Sequence, residues 1–133
     1  MEGCIFCKIA KREVPSYKVY EDENFFGFLD IHPSSRGHTL LIPKKHYTWV
    51  HDVPQFGQYW ETALKIKKAI EKALSPKWVQ YVTHGVIPHA HIHIIPRYDS
   101  VNHPNTPTVL KSGGATISEK ELKEIAEKIQ KAV

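Results

Sequence analysis

Three short apolar runs, each bounded by polar residues, lie in the first third of the chain. YKVYE (residues 17–21) and NFFGFLDI (residues 24–31) are rich in β-branched and aromatic side chains. The turn cluster HPSSRG (residues 32–37) separates them from a third run, HTLLIP (residues 38–43). Runs of this length and composition predict three strands joined by short connections.

The middle of the chain changes from a strand pattern to a helical pattern and back. We predict a helix that is capped by Asp52 and runs to about Leu74. Its predicted buried stripe consists of Phe56, Trp60, Ala63, Ile70 and Leu74. WVQYVT (residues 78–83) and HAHIHII (residues 89–95) then predict strands four and five.

The C-terminal part of the chain predicts a loop followed by a helix. Residues 98–116 have the composition of a loop, and Ser118 with Glu121 forms a capping box before a helix over residues 119–133. The apolar stripe of this helix is Leu122, Ile125 and Ile129. Strands that are close in sequence, with two long helices, predict one α+β domain over residues 1–133 that contains an antiparallel sheet.

Composition and charge narrow the class of protein. A chain of 133 residues with 41% hydrophobic and 24% charged residues is typical of a globular domain. No apolar run is long enough to cross a membrane, and the start lacks a secretory signal pattern, so we expect a cytoplasmic protein. The net charge is +4, but the lysines are spread along helices beside glutamates, and nucleic-acid binding is therefore not expected.

Three of the nine histidines occupy alternate positions in PHAHIHIIPR (residues 88–97). In a strand, His89, His91 and His93 would line one face, about 7 Å apart. Three neighbouring imidazoles would each need a hydrogen-bond partner, which a purely structural core rarely supplies. The pattern leaves two functional interpretations open, a catalytic metal site or acid–base and nucleophilic groups for chemistry at phosphorus.

Three segments of the chain, within about residues 3–98, resemble a known family. HAHIHII fits the His-φ-His-φ-His-φ-φ pattern of the histidine triad (HIT) superfamily, where φ is apolar. FFGFLDIHPSSRGHTLLIPKKH (residues 25–46) is similar to its ribose- and phosphate-side segment. CIFCKI (residues 4–9) is similar to the start of its Hint-like, zinc-containing bacterial and archaeal members.

The resemblance implies a fold, an activity and an assembly. The implied HIT-like fold is a five-stranded antiparallel sheet with two main helices. It would form a homodimer through the long helix and the strand that follows. The implied activity is hydrolysis at the α-phosphate of a purine nucleotide through a nucleotidyl–histidine intermediate.

The resemblance also assigns roles to individual residues. It implies that His91 is the nucleophile, that His93 lies against the phosphate or leaving group, and that His38 orients His91. Histidine rather than glutamine at position 93 favours a hydrolase over a transferase. Asp30 matches the ribose-binding carboxylate, although the residues alone also allow a turn-initiating aspartate. The implied base pocket contains Phe6 and Ile31.

The two cysteines, Cys4 and Cys7, have C-x-x-C spacing. From the residues alone they could be a redox pair, inert thiols or half of a tetrahedral zinc site. The resemblance nominates His46 and His89 as the other two ligands of a structural zinc, which would tie the N-terminus to the catalytic strand.

The segment THGVIP (residues 83–88) departs from the family pattern. Many HIT hydrolases carry Asn-x-Gly and then Gly-Gln-Ser or Gly-Gln-Thr before the triad, and these groups contact the phosphate. Here the phosphate donors would have to come from Thr83, His84 or backbone N–H groups. The shortened segment motivates a second hypothesis, a non-catalytic purine-nucleotide binding module. A third is a metal-dependent enzyme with all three triad histidines on one ion.

Overall fold

The computed structural model of the chain describes residues 3–99 and 115–133. In this part of the chain, five strands form one antiparallel sheet in the order β1-β2-β3-β5-β4. The strands are β1 (Lys18–Glu21), β2 (Phe25–Leu29), β3 (Thr39–Pro43), β4 (Trp78–Thr83) and β5 (Ile92–Arg97). The predicted α+β class and the HIT-like antiparallel sheet are therefore confirmed.

Within the described ranges, two long helices and one short helix accompany the sheet. They are α1 (Ile5–Ala10), α2 (Phe56–Leu74) and α3 (Glu119–Ala132). The sequence pattern did not predict α1, which places Phe6, Cys7 and Ile9 in the interior. None of the described helices combines the length and the apolar character needed to cross a membrane.

The alternation of side chains along the strands gives the sheet two different faces. Leu41 and Ile92 pair across β3 and β5 on the face covered by α2 and α3. Leu40 and His93 pair on the opposite face, where Leu40 belongs to a smaller core with Phe6 of α1. Each fully buried aliphatic side chain contributes about 1.5–3 kcal/mol. The face that carries His93, called the histidine face below, is therefore held in place by the core that packs on the opposite face of the sheet.

The start of α2 differs from the prediction. Asp52 does not cap this helix but ends a single 3-10 turn, Val50–Asp52. Val53 precedes Pro54, and its backbone is extended (φ −69°, ψ 119°), as the proline ring requires of the preceding residue. The helix therefore begins only at Phe56.

The buried stripe of α2 is also shifted from the predicted one. Ala63 and Ile70 are buried as predicted, but Phe56 remains 47% exposed. The helix instead buries Tyr59 and Ile66, which the prediction did not include. The buried residues of α2 are Tyr59, Thr62, Ala63, Ile66, Ala69 and Ile70.

The predicted capping box of α3 is confirmed. The backbone N–H of Glu121 donates to the Ser118 hydroxyl over 3.2 Å, and that hydroxyl donates to the Glu121 carboxylate. Leu122, Ile125 and Ile129 are buried against the sheet, as the stripe predicts. The loop predicted for residues 98–116 lies largely outside the described residues.

A glycine immediately before His38 is required by the fold. Gly37 has φ +91°, a left-handed conformation that side chains with a Cβ rarely adopt. A Cβ at this position would also lie 2.4 Å from Cδ1 of Leu74. The chain therefore turns tightly into β3, and this turn sets the position of His38.

Candidate active site and zinc-ligand cluster

A cavity of about 350 Å³ opens on the histidine face of the sheet. Its apolar wall includes Phe6, Ile9, Phe28 and Leu40, and its polar end includes His84, His91 and His93. A concave, mostly apolar site with a few convergent polar groups is typical of small-molecule pockets.

His91 is held in one tautomer by the backbone. The sequence predicted a fifth strand from residue 89, but β5 begins at Ile92, so His91 lies just before the strand. Its Nδ1–H donates to the carbonyl of His89 over 2.7 Å. Nε2 is consequently the unprotonated nitrogen, which is the one that can act as a nucleophile.

A chain of hydrogen bonds fixes the tautomers of two further histidines. The backbone N–H of Ser34 donates to Nδ1 of His38 over 2.9 Å. Nε2 of His38 must then carry the proton, which it donates to Nδ1 of His93 over 2.9 Å. Nε2 of His93 therefore also carries a proton, and among the described residues this buried atom has no hydrogen-bond partner. His93 thus presents an unused donor.

The expected contact between His38 and His91 is wrong. His38 hydrogen-bonds to His93, and the acceptor that orients His91 is the carbonyl of His89. The sequence pattern could not distinguish these partners, because the choice depends on the register between β3 and β5.

Burial lowers the pKa of His38, His91 and His93. It lowers the pKa of His91, although the hydrogen bond to the carbonyl of His89 partly opposes the shift. Burial, aided by the positive charge of Arg97, lowers the pKa of His38 to about 3. Burial, aided by the neighbouring imidazoles, lowers the pKa of His93 to about 2. At neutral pH all three rings are available as uncharged donors and acceptors.

These shifts predict a loss of stability in acid. In the unfolded chain His38 and His93 take up protons near pH 6.5, whereas the folded chain resists protonation until about pH 3. The contribution of these two neutral histidines to the free energy of unfolding is therefore complete above pH 6.5 and declines as the pH falls below it. Each proton bound only by the unfolded state gives a slope of about 1.4 kcal/mol per pH unit.

We expect urea denaturation between pH 7 and pH 4 to show this decline in the free energy of unfolding. A double variant, His38→Asn with His93→Asn, should show a shallower slope over the same range. Equal slopes in the two proteins would contradict the assignment.

Asp30, Phe6 and Ile31, to which the resemblance assigns substrate binding, all line the cavity. One carboxylate oxygen of Asp30 accepts the backbone N–H of His32 over 2.8 Å, so the residue also initiates a turn. The other oxygen lies 3.7 Å from Nε2 of His38. Phe6 makes edge contacts with His91 (5.1 Å between centroids) and Phe28 (5.7 Å), and Ile31 is 61% exposed.

A second cluster lies at the start of α1 and consists of Cys4, Cys7, His46 and His89. Their four ligand atoms all lie within 4.8 Å of one another. The Sγ···Nδ1 distances are 3.3 Å (Cys4–His89), 3.3 Å (Cys7–His46) and 3.4 Å (Cys7–His89). Tetrahedral zinc with ordinary Zn–S and Zn–N bonds requires about 3.5 Å between sulfur and nitrogen ligands. The donor set therefore fits zinc.

His89 has the environment of a metal-bound histidine. Its Nε2–H donates to the carbonyl of Pro43 over 2.9 Å, which leaves Nδ1 unprotonated and facing both thiols. A backbone acceptor on the distal nitrogen is a common outer-sphere contact of zinc-bound histidines. Because Nδ1 of His89 faces the cysteines, His89 does not share one ion with His91 and His93, and the third hypothesis is not supported.

Two residues near the cavity received no single role from the sequence, which named His84 only as one candidate phosphate donor and did not single out Trp49. His84 lies against both His91 (5.0 Å between centroids) and His93 (4.7 Å). The only sequence signal was its nearness to the triad. Trp49 packs on Gly85, and no pattern indicated this contact, because the two residues are far apart in the sequence.

Comparisons with known proteins agree with this fold. Residues 11–100 match the HIT domain family. An adenosine 5'-monophosphoramidase of Saccharomyces cerevisiae is 38% identical over 103 residues, covering 73% of this chain and 64% of that protein. The chain thus spans slightly less than two thirds of the length of that relative. An adenosine 5'-monophosphoramidase of Schizosaccharomyces pombe is 33% identical over 132 residues, covering 89% of this chain and 98% of that protein.

A solved structure is similar over nearly the whole length. It is a zinc-bound histidine triad family protein from Mycobacterium smegmatis, with a TM-score of 0.76 and 27% identity. The similarity covers 98% of this chain and 92% of that one.

Proposed function

Because the chain belongs to the HIT family, we propose that it is a nucleotide hydrolase acting at the α-phosphate of purine nucleotide derivatives. The substrate class is a nucleoside phosphoramidate or a dinucleoside polyphosphate. The observation that carries the proposal is the geometry of His91. The hydrogen bond from its Nδ1–H to the His89 carbonyl leaves Nε2 unprotonated, and the ring lines a mostly apolar cavity. Neutral imidazole with a fixed lone pair is a suitable nucleophile for phosphorus.

The proposed reaction has two steps. Nε2 of His91 attacks the α-phosphorus, and a P–N bond to the enzyme forms as the bond to the leaving group breaks. The leaving group departs with the bonding electrons and takes a proton from solvent. Water then attacks the same phosphorus, releases a proton to solvent and frees His91 with the nucleoside monophosphate. Splitting the displacement in this way lowers the barrier of each step.

The surrounding residues have distinct roles in this proposal. The Nε2–H of His93 donates to the phosphoryl group, and His38 keeps His93 in that tautomer. Asp30 accepts hydrogen bonds from the ribose hydroxyls. Phe6 and Ile31 contact the purine base.

We also propose that Cys4, Cys7, His46 and His89 hold a structural zinc. The ion would fix α1 against the segment before β5, and no catalytic step passes through it. The Sγ atoms of Cys4 and Cys7 lie 3.3–3.4 Å from histidine Nδ1 atoms, which is consistent with such a site and with a cytoplasmic location, where thiols stay reduced.

A homodimer is proposed from an exposed aromatic patch beside the sheet edge. Phe56 (47% exposed), Leu64 (43%) and Tyr81 (38%) lie near Trp60, whose ring contacts that of Tyr81 at 5.6 Å. β4 is an edge strand of the described sheet, so its outer backbone groups can pair with a second copy. We expect Tyr81→Glu to shift the mass measured by light scattering from dimer to monomer, whereas a wild-type monomer would contradict the assembly.

The proposed function is tested by trapping the intermediate. Wild-type protein is mixed with adenosine 5'-phosphoramidate and quenched within milliseconds. Mass spectrometry should then find one adenylyl group on His91, together with release of AMP and ammonia. Turnover without any adduct on this residue would contradict the covalent route. Tight AMP binding without turnover would instead support a nucleotide-binding module, which the short segment before the triad motivates.

A further inference from the structure

The connection from β4 to His89 poses a chemical problem for the proposed function. A phosphate bound beside His91 carries negative charge that needs hydrogen-bond donors. Residues 84–88, HGVIP, contain no serine, threonine, asparagine or glutamine side chain to supply them. Thr83, the last residue of β4, does not line the cavity, so any side-chain donor from this connection must be His84.

His84 lies where such a donor is needed. Its ring is tilted by 34° to that of His93 and stands nearly perpendicular, at 86°, to that of His91. Each of the three residues has a ligand atom within 4.8 Å of the others. All three line the same cavity, so one phosphoryl group beside His91 is within reach of the other two rings.

The tautomer of His84 is suited to donation. The backbone N–H of Val86 donates to its Nδ1 over 3.3 Å, so the ring carries its proton on Nε2. His93, which is 5% exposed, likewise carries an Nε2–H that finds no partner within residues 3–99 and 115–133. The cavity therefore holds two N–H donors, from His84 and His93, beside the Nε2 lone pair of His91.

A close packing contact fixes the segment that carries His84. A Cβ at Gly85 would lie 2.2 Å from Cζ3 of Trp49, so the indole ring rests directly on the glycine backbone. Trp49 lies on the segment after β3, and its contact holds the chain next to His84. Only glycine allows this approach.

We propose that His84 and His93 form an anion subsite for the non-bridging oxygens of the α-phosphate. In this subsite His84 replaces the side-chain donors that the shortened segment lacks. The inference rests on the proposed function for its ligand class, a nucleoside monophosphate group. It assigns the phosphate contact to a side chain outside the histidine triad.

The test compares two ligands that differ only in the phosphate. Dissociation constants for AMP and for adenosine are measured by calorimetry with wild type, His84→Ala, His84→Gln and the control Lys128→Ala, which changes an exposed residue of α3. A hydrogen bond to a charged group corresponds to about a 10- to 100-fold change in affinity. We expect His84→Ala to weaken AMP binding by about this factor, with adenosine binding unchanged. His84→Gln should recover much of the loss, because its amide also donates, and Lys128→Ala should match wild type.

The outcomes separate the inference from the proposed function. A selective loss of AMP affinity supports the subsite even if the wild type hydrolyses no phosphoramidate, which would overturn the hydrolase proposal alone. Equal weakening of AMP and adenosine, or no change in either, overturns the subsite whether or not the enzyme turns over.

Metal content gives a second readout. Three imidazoles this close could also bind a transition metal. If wild type holds two ions per chain and His84→Ala holds one, these residues form a metal site and the subsite is overturned. An equal metal content in the two proteins supports it. Thermal melting of each variant identifies any loss of fold.

Discussion

Replacement of His91 with alanine is expected to lower kcat/KM for adenosine 5'-phosphoramidate by about 10⁴-fold or more, because it removes the only proposed nucleophile. AMP binding should persist, since the variant keeps the base pocket, Asp30 and the donors of His84 and His93. The variant should melt near the wild-type temperature. Steady-state assays and calorimetry on one preparation measure both quantities.

The matched comparison is His93→Ala. In the proposed mechanism His93 contributes a hydrogen-bond donor and forms no covalent bond. Loss of one such donor costs about 10²- to 10³-fold in rate. The adenylyl adduct should therefore still form in His93→Ala and be absent in His91→Ala. Comparable residual activity and adduct in both variants would contradict the assignment of His91 as nucleophile.

The second large effect concerns the zinc-ligand cluster. His46→Ala is expected to remove the metal and to lower the free energy of unfolding by about 3 kcal/mol or more, a fall in Tm on the order of 10 °C. The reason is that an ion bound only by the folded chain stabilises it by its binding free energy. His51→Ala, on the same segment between β3 and α2, is the control and should retain both metal and stability.

A chelator makes this test sharper. It should lower the Tm of wild type to that of His46→Ala and leave the variant unchanged. Below the melting temperature, hydrolysis should persist in the chelated protein, since no step is assigned to the ion. Loss of hydrolysis at unchanged Tm would instead indicate a catalytic metal.

The elements that the sequence predicted well are those with local determinants. The capping box of Ser118 and Glu121 lies within one helical turn, and the turn residues before His38 and the proline at position 43 bound β3 locally. The roles of Asp30 and of the two cysteines came from the resemblance and stay predictions. In each case, residues near one another in the chain carried the information.

The misassigned features depend on contacts between distant segments. Ala90 donates its N–H to the carbonyl of Tyr47, a residue outside β3, over 2.6 Å, and the regular pairing of β5 with β3 begins only at Ile92. The pairing of His38 with His93 depends on strand register in the same way. The stripe of α2 was misjudged because Phe56 has the hydrophobicity of a core residue but lies on an exposed face. Hydrophobicity alone does not distinguish a core from an interface.

In the first turn of the short helix α1, Phe6 lies between Cys4, which caps the helix, and Cys7. One turn supplies both a wall of the base pocket and half of the zinc-ligand cluster. Under the proposed function, proteolytic clipping within this turn is therefore expected to impair nucleotide selectivity and metal retention together. A cut beside α3 should spare both, because α3 packs on the opposite face of the sheet.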